Sequence, residues 1–544
     1  MTLRARLGIA ALAAAPLVVL VLFFLYPVTG MVARGFWPDG RFDPGGVLDV
    51  LGRPRVHRVL WFTLWSAGIA TLLSVLLGVP TAFVLHRLRF PAVGVARALV
   101  MLPFVLPTVV VGVAFRQLIV PSGPLGALHL DGTAAAIVAA LVFFNISVVV
   151  RTVGAFWEGL DHRVEEAAAT LGARPLRVFA TVTFPALLPG IASAATVVFL
   201  FCSTAFGVVL TMGGLRYANV ETEIYLLTTQ ELDLQAAAAL SILQVVVIVA
   251  LLALSARTRR GPAAARAVRR PRRPRARDTV LLLWAAAVVA FLLTPLVSLT
   301  LASLDTGDGW ALTHYRQLQT TGEGNALLVP VTTALWTSLR IAVVAASLAL
   351  VLGTAVALLV SRRWRTRRGR RLNAAFDGAF MLPLGVSAVT LGFGFLITLD
   401  RPPLDLRTSS LLIPIAQAMV ALPLVVRTVA PVLGSIDDRQ REAAASLGAG
   451  PLRVLLAVDL PVAWRPLLAA TGFAFAVSLG EFGATSFLAR DDNPTLPVVI
   501  YQLISHPGES NFAMAMAASV VLAATTAAVV LLVERLRVGS VGAF

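Results

Sequence analysis

Long apolar runs, each near the length of a membrane crossing and separated by shorter polar segments, set the rhythm of this chain. Crossing about 30 Å of hydrocarbon as a helix takes roughly 20 apolar residues, because the backbone must satisfy its own hydrogen bonds where water is absent. Leu7 to Val28 is one such run, and others lie near 60–86, 98–120, 133–156, 187–212, 235–256, 279–304, 333–361, 375–399, 410–433, 464–489 and 514–533. The pattern predicts an all-α polytopic membrane protein of about twelve transmembrane helices. Arg4 and Arg6 before the first run, with Ala13-Ala14-Ala15 inside it, have the flavour of a secretory leader. The run is long and Pro16 would follow the cut, so it is read as a span.

Composition agrees with a bilayer, since 58% hydrophobic and 13% charged residues leave too little charge to cover a soluble surface of 544 residues. The net charge of +17 would suit a nucleic-acid partner if it were spread over one face, but the basic residues are all Arg and cluster between spans. Ten Arg lie between Arg257 and Arg277, and seven between Arg362 and Arg371. Placing both termini in the cytoplasm puts these clusters inside, as the positive-inside rule requires. The first external loop, with Arg34, Arg41, Arg53, Arg55 and Arg58, runs against the rule. The partner expected is therefore the lipid bilayer and not nucleic acid. Cys202 is the only cysteine, so no intrachain disulfide forms.

An internal repeat organises the chain. A shift of 276 maps Val149-Val150-Arg151-Thr152-Val153 onto Val425-Val426-Arg427-Thr428-Val429, and Pro175-Leu176-Arg177-Val178 onto Pro451-Leu452-Arg453-Val454. Phe206-Gly207 likewise meets Phe482-Gly483. Upstream the offset changes, so that Met101-Leu102-Pro103 meets Met381-Leu382-Pro383. Residues 1–256 and 278–544 thus form two six-helix halves in the same orientation, with an Arg- and Pro-rich cytoplasmic linker at 257–277 that reads as a flexible tether.

Between the fourth and fifth spans of each half lies a loop, Gly159 to Pro185 and Ser435 to Pro461. In the first, Asp161 is a cap, Gly172 a break and Pro175 a restart; in the second, Ser435 with Asp438 suggests a capping box, Gly448 the break and Pro451 the restart. Each loop predicts a helix, a sharp turn and a second short helix that stops before a proline.

These loops resemble the signature of ABC importer permeases: Glu-Ala-Ala, three residues, Gly, nine residues, an apolar residue, one residue, an apolar residue and Pro. The copies read Glu166-Ala167-Ala168, Gly172, Val182, Phe184, Pro185 and Glu442-Ala443-Ala444, Gly448, Val458, Leu460, Pro461. The resemblance implies a type I ABC importer permease fold in the bacterial inner membrane. It implies that the two loops dock two copies of a cytoplasmic ABC ATPase, which binds ATP and Mg while this chain binds no cofactor. It implies, too, an extracytoplasmic solute-binding protein. Without any Lys, the chain has no phosphate-binding Gly-Lys loop of its own.

Fusion of two halves in one chain resembles the permeases of thiamine and ferric-iron importers. Ser478 to Gly483 with Asp491-Asp492, Thr495-Leu496-Pro497 and Tyr501-Gln502, and Phe206, Gly213-Gly214, Glu221 and Tyr225 in the first half, resemble the thiamine group. A cation with two aromatic rings would be met by a carboxylate and aromatic faces. Glu481, expected within an apolar span and matched by Ala205 in the first half, is the leading pathway candidate. It could equally pair with an Arg or with backbone amides at a helix break. Asn145 and Phe144 are further candidates, although Asn145 could simply bond a neighbouring helix, worth about 1 kcal/mol. A membrane-embedded enzyme lacks a convergent constellation, because the six His are scattered without ligand spacing. An ion-gradient carrier would leave both signature loops unexplained.

Overall fold

The computed structural model describes residues 3–38, 40–214, 216–258, 271–362, 366–400, 404–406, 409–490 and 492–538. In chain order the principal helices are α1 (Leu12–Phe36), α2 (Pro54–Arg87), α3 (Val93–Val105), α4 (Thr108–Ile119), α5 (Ala134–Glu158), α6 (His162–Thr170), α7 (Pro175–Ser203) and α8 (Leu234–Ala253). They continue with α9 (Ala276–Ala302), α10 (Val331–Val360), α11 (Arg367–Met381), α12 (Ala388–Thr398), α13 (Leu412–Ser435), α14 (Asp438–Ser446), α15 (Pro451–Leu479) and α16 (Glu509–Val533). Ten of these are long and apolar enough to cross a membrane. Among the described residues β-pairing is limited to two isolated bridges, Leu88 with Arg272 and Asp305 with Trp310.

The expected spans 98–120 and 375–399 are broken rods, not straight ones. α3 and α4 meet at 104°. Pro103 opens a tight turn, Leu106 is forced extended (ψ 136°), and Pro107 offers no N–H to continue the ladder. In the second half Pro383 opens the same turn and Val386 is extended (ψ 129°), but Ser387 stands where Pro107 stood and caps α12, accepting from Thr390 N at 3.0 Å. The spans expected over 187–212 and 464–489 also end early, at Ser203 and Leu479.

Prolines elsewhere bend helices without ending them. Wide π turns at Val21–Leu25, Phe179–Thr183 and Leu455–Asp459 each end two residues before a proline, Pro27, Pro185 and Pro461. A proline crowds the carbonyl four residues back, and a turn with one extra residue relieves that contact. The second short helix of each loop therefore does not stop before Pro185 or Pro461; it runs on as α7 and α15.

Packing divides the chain into two units that do not follow the repeat: one holds residues 1–50, 224–245 and 315–544, the other 51–223 and 246–314. In the first unit α1 packs with the second half, Phe23 lying 6.0 Å from Phe395 and Gly394 leaving room for Pro27. Leu20 and Phe24 join a core with Leu391, Leu412 and Met419. In the second unit α9 packs with the first half, Phe291 meeting Phe115 and Phe143 at 6.4 and 6.3 Å, and Ala285 joining Val84 and Leu88. The linker expected over 257–277 lies outside the described residues at 259–270. Its described end is not free: Arg89 N donates to Arg272 O at 2.8 Å.

Within each unit the same close approach recurs. A Cβ on Gly78 would meet Val149 Cβ at 2.7 Å, and one on Gly353 would meet Val425 Cγ1 at 2.7 Å. Small residues let membrane helices approach where no hydrophobic driving force separates protein from lipid. Gly353→Leu should therefore force α10 from α13, costing about 1–3 kcal/mol and lowering the Tm of the detergent-solubilised chain. Gly94→Leu is the control, since nothing lies within 4 Å of an added Cβ there. Equal Tm values for the two variants would contradict the packing.

Candidate functional site

The two signature loops have the same backbone. Asp161 Oδ1 accepts from Arg163 N at 3.0 Å to cap α6, and Asp437 Oδ1 accepts from Arg439 N at 3.0 Å to cap α14. The cap of the second loop is thus Asp437 and not Ser435, which closes α13 with its hydroxyl donating to Val432 O. At the far end Gly172 N donates to Ala169 O and Ala173 N to Ala168 O, at 3.0 and 3.1 Å; Gly448 N and Ala449 N repeat this with Ala445 O and Ala444 O at the same distances. This is a Schellman closure, which needs a left-handed residue. Gly172 and Gly448 supply it with φ of +82° and +84°. No atom lies within 4 Å of a Cβ added at either, so the demand for glycine comes from the dihedral alone. Pro175 and Pro451 then occupy the first turn of the next helix, where a missing N–H costs nothing.

The side chains of these loops face outward. Leu171 and Leu447, just before the glycines, are each 89% exposed, and Leu176 and Leu452 are exposed as well. Glu166, Ala167, Glu442 and Ala443 are exposed, whereas Ala168 and Ala444 are half-buried. Bare leucines on a rigid turn, rimmed by charge, form a surface suited to a protein partner.

What fixes each loop to its membrane helix is a contact that motif reading misses. Thr183 Oγ1 donates to Glu165 Oε1 at 2.8 Å, and Arg441 Nε donates to Asp459 Oδ1 at 2.8 Å. Residues 165 and 441 occupy one repeat position, and 183 and 459 another, so the same brace is built from different chemistry. Arg87 adds a 3.0 Å bond to Glu165; Arg441 also reaches Asp438 and Leu433 O, each at 3.0 Å. The paired spacing of 18 residues in both copies was the available signal.

The pathway candidates fall in different units. Glu481 is not inside a helix. It lies in the break between α15 and the short helix Thr485–Leu488, and its carboxylate accepts from Ala484 N (2.8 Å), Thr485 N (3.1 Å) and Thr485 Oγ1 (2.5 Å). The residue is only 7% exposed. Phe482 and Phe487 beside it pair with Tyr501 and Tyr225 at 5.6 and 5.4 Å. Gly483 lies against Ala388 Cβ and Val389 N at the head of α12, and Gly207 against Val109 N in α4, which accounts for the repeated Phe-Gly pair. In the second unit Asn145 donates to Leu141 O (2.9 Å) and Cys202 Sγ (3.2 Å), tying α5 to α7. Phe144 stands 5.8 Å from Phe104. A cleft of about 690 Å3 is lined by Leu328, Val329, Ala489, Arg490 and Asp492, and by none of these candidates. Asp491 lies outside the described residues. Arg55, one of the Arg that oppose the positive-inside rule, meets the buried Glu223 at 2.6 Å.

A chain with two such loops on two bundles of apolar helices belongs to the family described as the binding-protein-dependent transport system inner membrane component, which matches residues 74–260 and 349–538. It is a multi-pass inner-membrane permease subunit of an ABC importer. Each matched segment begins inside α2 or α10, beyond the spans α1 and α9 that the packing units exchange. The chain is 30% identical over 464 residues to the thiamine transport system permease protein ThiP of Escherichia coli (strain K12), covering 82% of this chain and 83% of that protein. To ThiP of Brucella abortus (strain 2308) it is 27% identical over 481 residues, or 85% and 84% of the two chains. The molybdenum transport system permease protein ModB of Mycobacterium tuberculosis (strain ATCC 25618 / H37Rv) is 36% identical over 239 residues, which is 86% of that protein but 42% of this chain.

Truncating the brace gives a local test. Arg441→Ala removes the partner of Asp459 and should cost α14 about 1–2 kcal/mol of local stability, or roughly 5- to 30-fold faster amide exchange. Exchange in α6 should stay as it was. Unchanged exchange over 438–446 would show that Arg441 does not hold the loop.

Proposed function

We propose that this chain forms the complete transmembrane pathway of a thiamine importer. The observation that carries the solute is the likeness to two thiamine permeases along more than four-fifths of each chain, fused halves included, whereas the molybdenum permease matches one half. Each signature loop docks one copy of a cytoplasmic ABC ATPase, so two copies assemble on one chain. Glu166, Ala167, Ala168, Gly172 and Pro185 form one docking element, and Glu442, Ala443, Ala444, Gly448 and Pro461 the other. ATP and Mg act on those subunits, and this chain binds no cofactor. An extracytoplasmic binding protein delivers the solute on the other side, and both termini lie in the cytoplasm with the loops.

The geometry suits a lever. The exposed Leu171 and Leu447 enter the ATPase surface, while the glycine turn joins each docking helix rigidly to the base of α7 or α15. Closure of the ATPase pair then moves the helices that line the pathway. Glu481 and the aromatic pairs beside it supply the carboxylate and ring faces that a thiazolium cation would meet, with Asn145 and Phe144 as pathway residues of the other unit.

Uptake into proteoliposomes holding the permease, ATPase and binding protein tests the solute directly. Radiolabelled thiamine should accumulate with ATP; accumulation of ferric iron or molybdate instead would replace the assignment. Gly172→Val with Gly448→Val forces a β-branched residue into the left-handed region, at about 1–2 kcal/mol per site. That double variant should insert normally yet lose ATP-coupled uptake, and normal uptake would end the docking role. In Glu481→Gln one buried donor loses its acceptor, an effect of about 1–3 kcal/mol. Thiamine uptake should drop severalfold with the ATPase still bound, and an unchanged rate would assign Glu481 to the turn alone.

A further inference from the structure

The linker between the halves ends in a clasp. The Arg272 guanidinium forks onto Asp278, Nη1 to Oδ2 at 2.6 Å and Nη2 to Oδ1 at 2.8 Å, and the same carboxylate accepts from Arg275 N at 2.8 Å. Asp278 is 4% exposed. Donating to this carboxylate raises Arg272 above its ordinary pKa, so the fork is charged on the arginine side at any physiological pH. The Arg272 backbone is bonded on both sides to the end of α2: its N–H donates to Arg87 O at 3.1 Å, and its carbonyl accepts from Arg89 N at 2.8 Å. Leu88, held between those two bonds, is fully buried with Val84 and Ala285.

Arg87 is the residue whose side chain reaches Glu165 on α6, and Glu165 in turn receives Thr183 of α7. A continuous path of short bonds therefore runs from the head of α9, through Arg272 and the end of α2, to the first docking helix. The brace of the second loop is different in kind. Among the described residues Arg441 donates to Leu433 O, Asp438 and Asp459, all within the loop and the helix ends that carry it.

We propose that Arg272 and Asp278 are positioning residues that set the angle of the first docking helix through Arg87 and Glu165, making the linker's end a working part of one ATPase arm and not of the other. The proposal rests on the docking role given above. A tether alone would need only length and charge, and a bidentate pair of this burial orders residues that a tether would leave solvated.

Nitroxide labels at Leu171→Cys and Leu447→Cys read the two loops separately in the full chain in lipid nanodiscs, since the remaining Cys202 is buried. Asp278→Asn should mobilise the label at 171 and leave the label at 447 as it was. Arg272→Gln should do the same, and Glu165→Gln combined with Asp278→Asn should add little to either alone, because all act along one path. In the reconstituted complex Asp278→Asn should keep the ATPase bound while thiamine moved per ATP hydrolysed falls roughly fivefold or more. Both labels unchanged, or both mobilised alike, with a normal transport ratio would overturn the clasp. If Gly172→Val with Gly448→Val blocks uptake in that case, the docking role stands without the clasp. If that double variant also transports normally, the docking role fails and the clasp falls with it.

Discussion

A peptide group in hydrocarbon has no water to bond, so every departure from helix inside a membrane needs its own partner. Several departures among the described residues show how such partners are supplied. Proline follows the π turns, so the donor missing at Pro27, Pro185 and Pro461 coincides with a widened ladder. Ser387 caps α12 where the helix restarts. Glu481 caps the helix after the break in the last third of the chain, accepting two backbone amides and a hydroxyl. Glycine sits where the broken segments touch, at Gly207 and Gly483. Glu481 and the docking loops lie at or beside these interruptions, where a membrane helix can present backbone groups as well as side chains, whereas Asn145 and Phe144 sit within the unbroken α5.

The two halves share this plan and differ in its chemistry. Position 107 is Pro and position 387 is Ser, yet both break the span at the same place. Positions 165 and 441 are Glu and Arg, with Thr183 and Asp459 opposite, and both brace a docking helix. The geometry is repeated while the residues that produce it are free to change, provided each pair remains complementary. Such drift gives one chain two unequal arms, something a pair of identical subunits cannot have.

Local chemistry made much of this legible from sequence. Gly172 and Gly448 are read as left-handed turns because glycine enters that region without a Cβ penalty, and Asp161 as a cap because its oxygen reaches a free amide of the first turn. Ser435 misled because serine caps equally well; only the length of α13 shows that it still belongs to the preceding helix. The breaks at Leu106 and Val386 were hidden because the residues on both sides stay apolar, and hydropathy carries no record of direction. Glu481 was expected inside a span for the same reason. The packing units were illegible for a different one: α1 and α9 are apolar on most faces, so their sequence does not say which helix they adjoin.

That exchange of first spans bears on how the protein is made. α1 leaves the ribosome early, but residues it packs against in α10 and α12, such as Val356 and Phe395, lie more than about 300 residues downstream, or about 15–75 s of synthesis. During that interval the partner of α1 from its own half is α8, met where Gly35 lies against Ile242 and Ala238, and the first-half bundle likewise waits, on a shorter scale, for α9. The chain cannot be completed half by half as it emerges. Its assembly is committed to a late, long-range closure, so that contacts of the first span to be made are among the last to form.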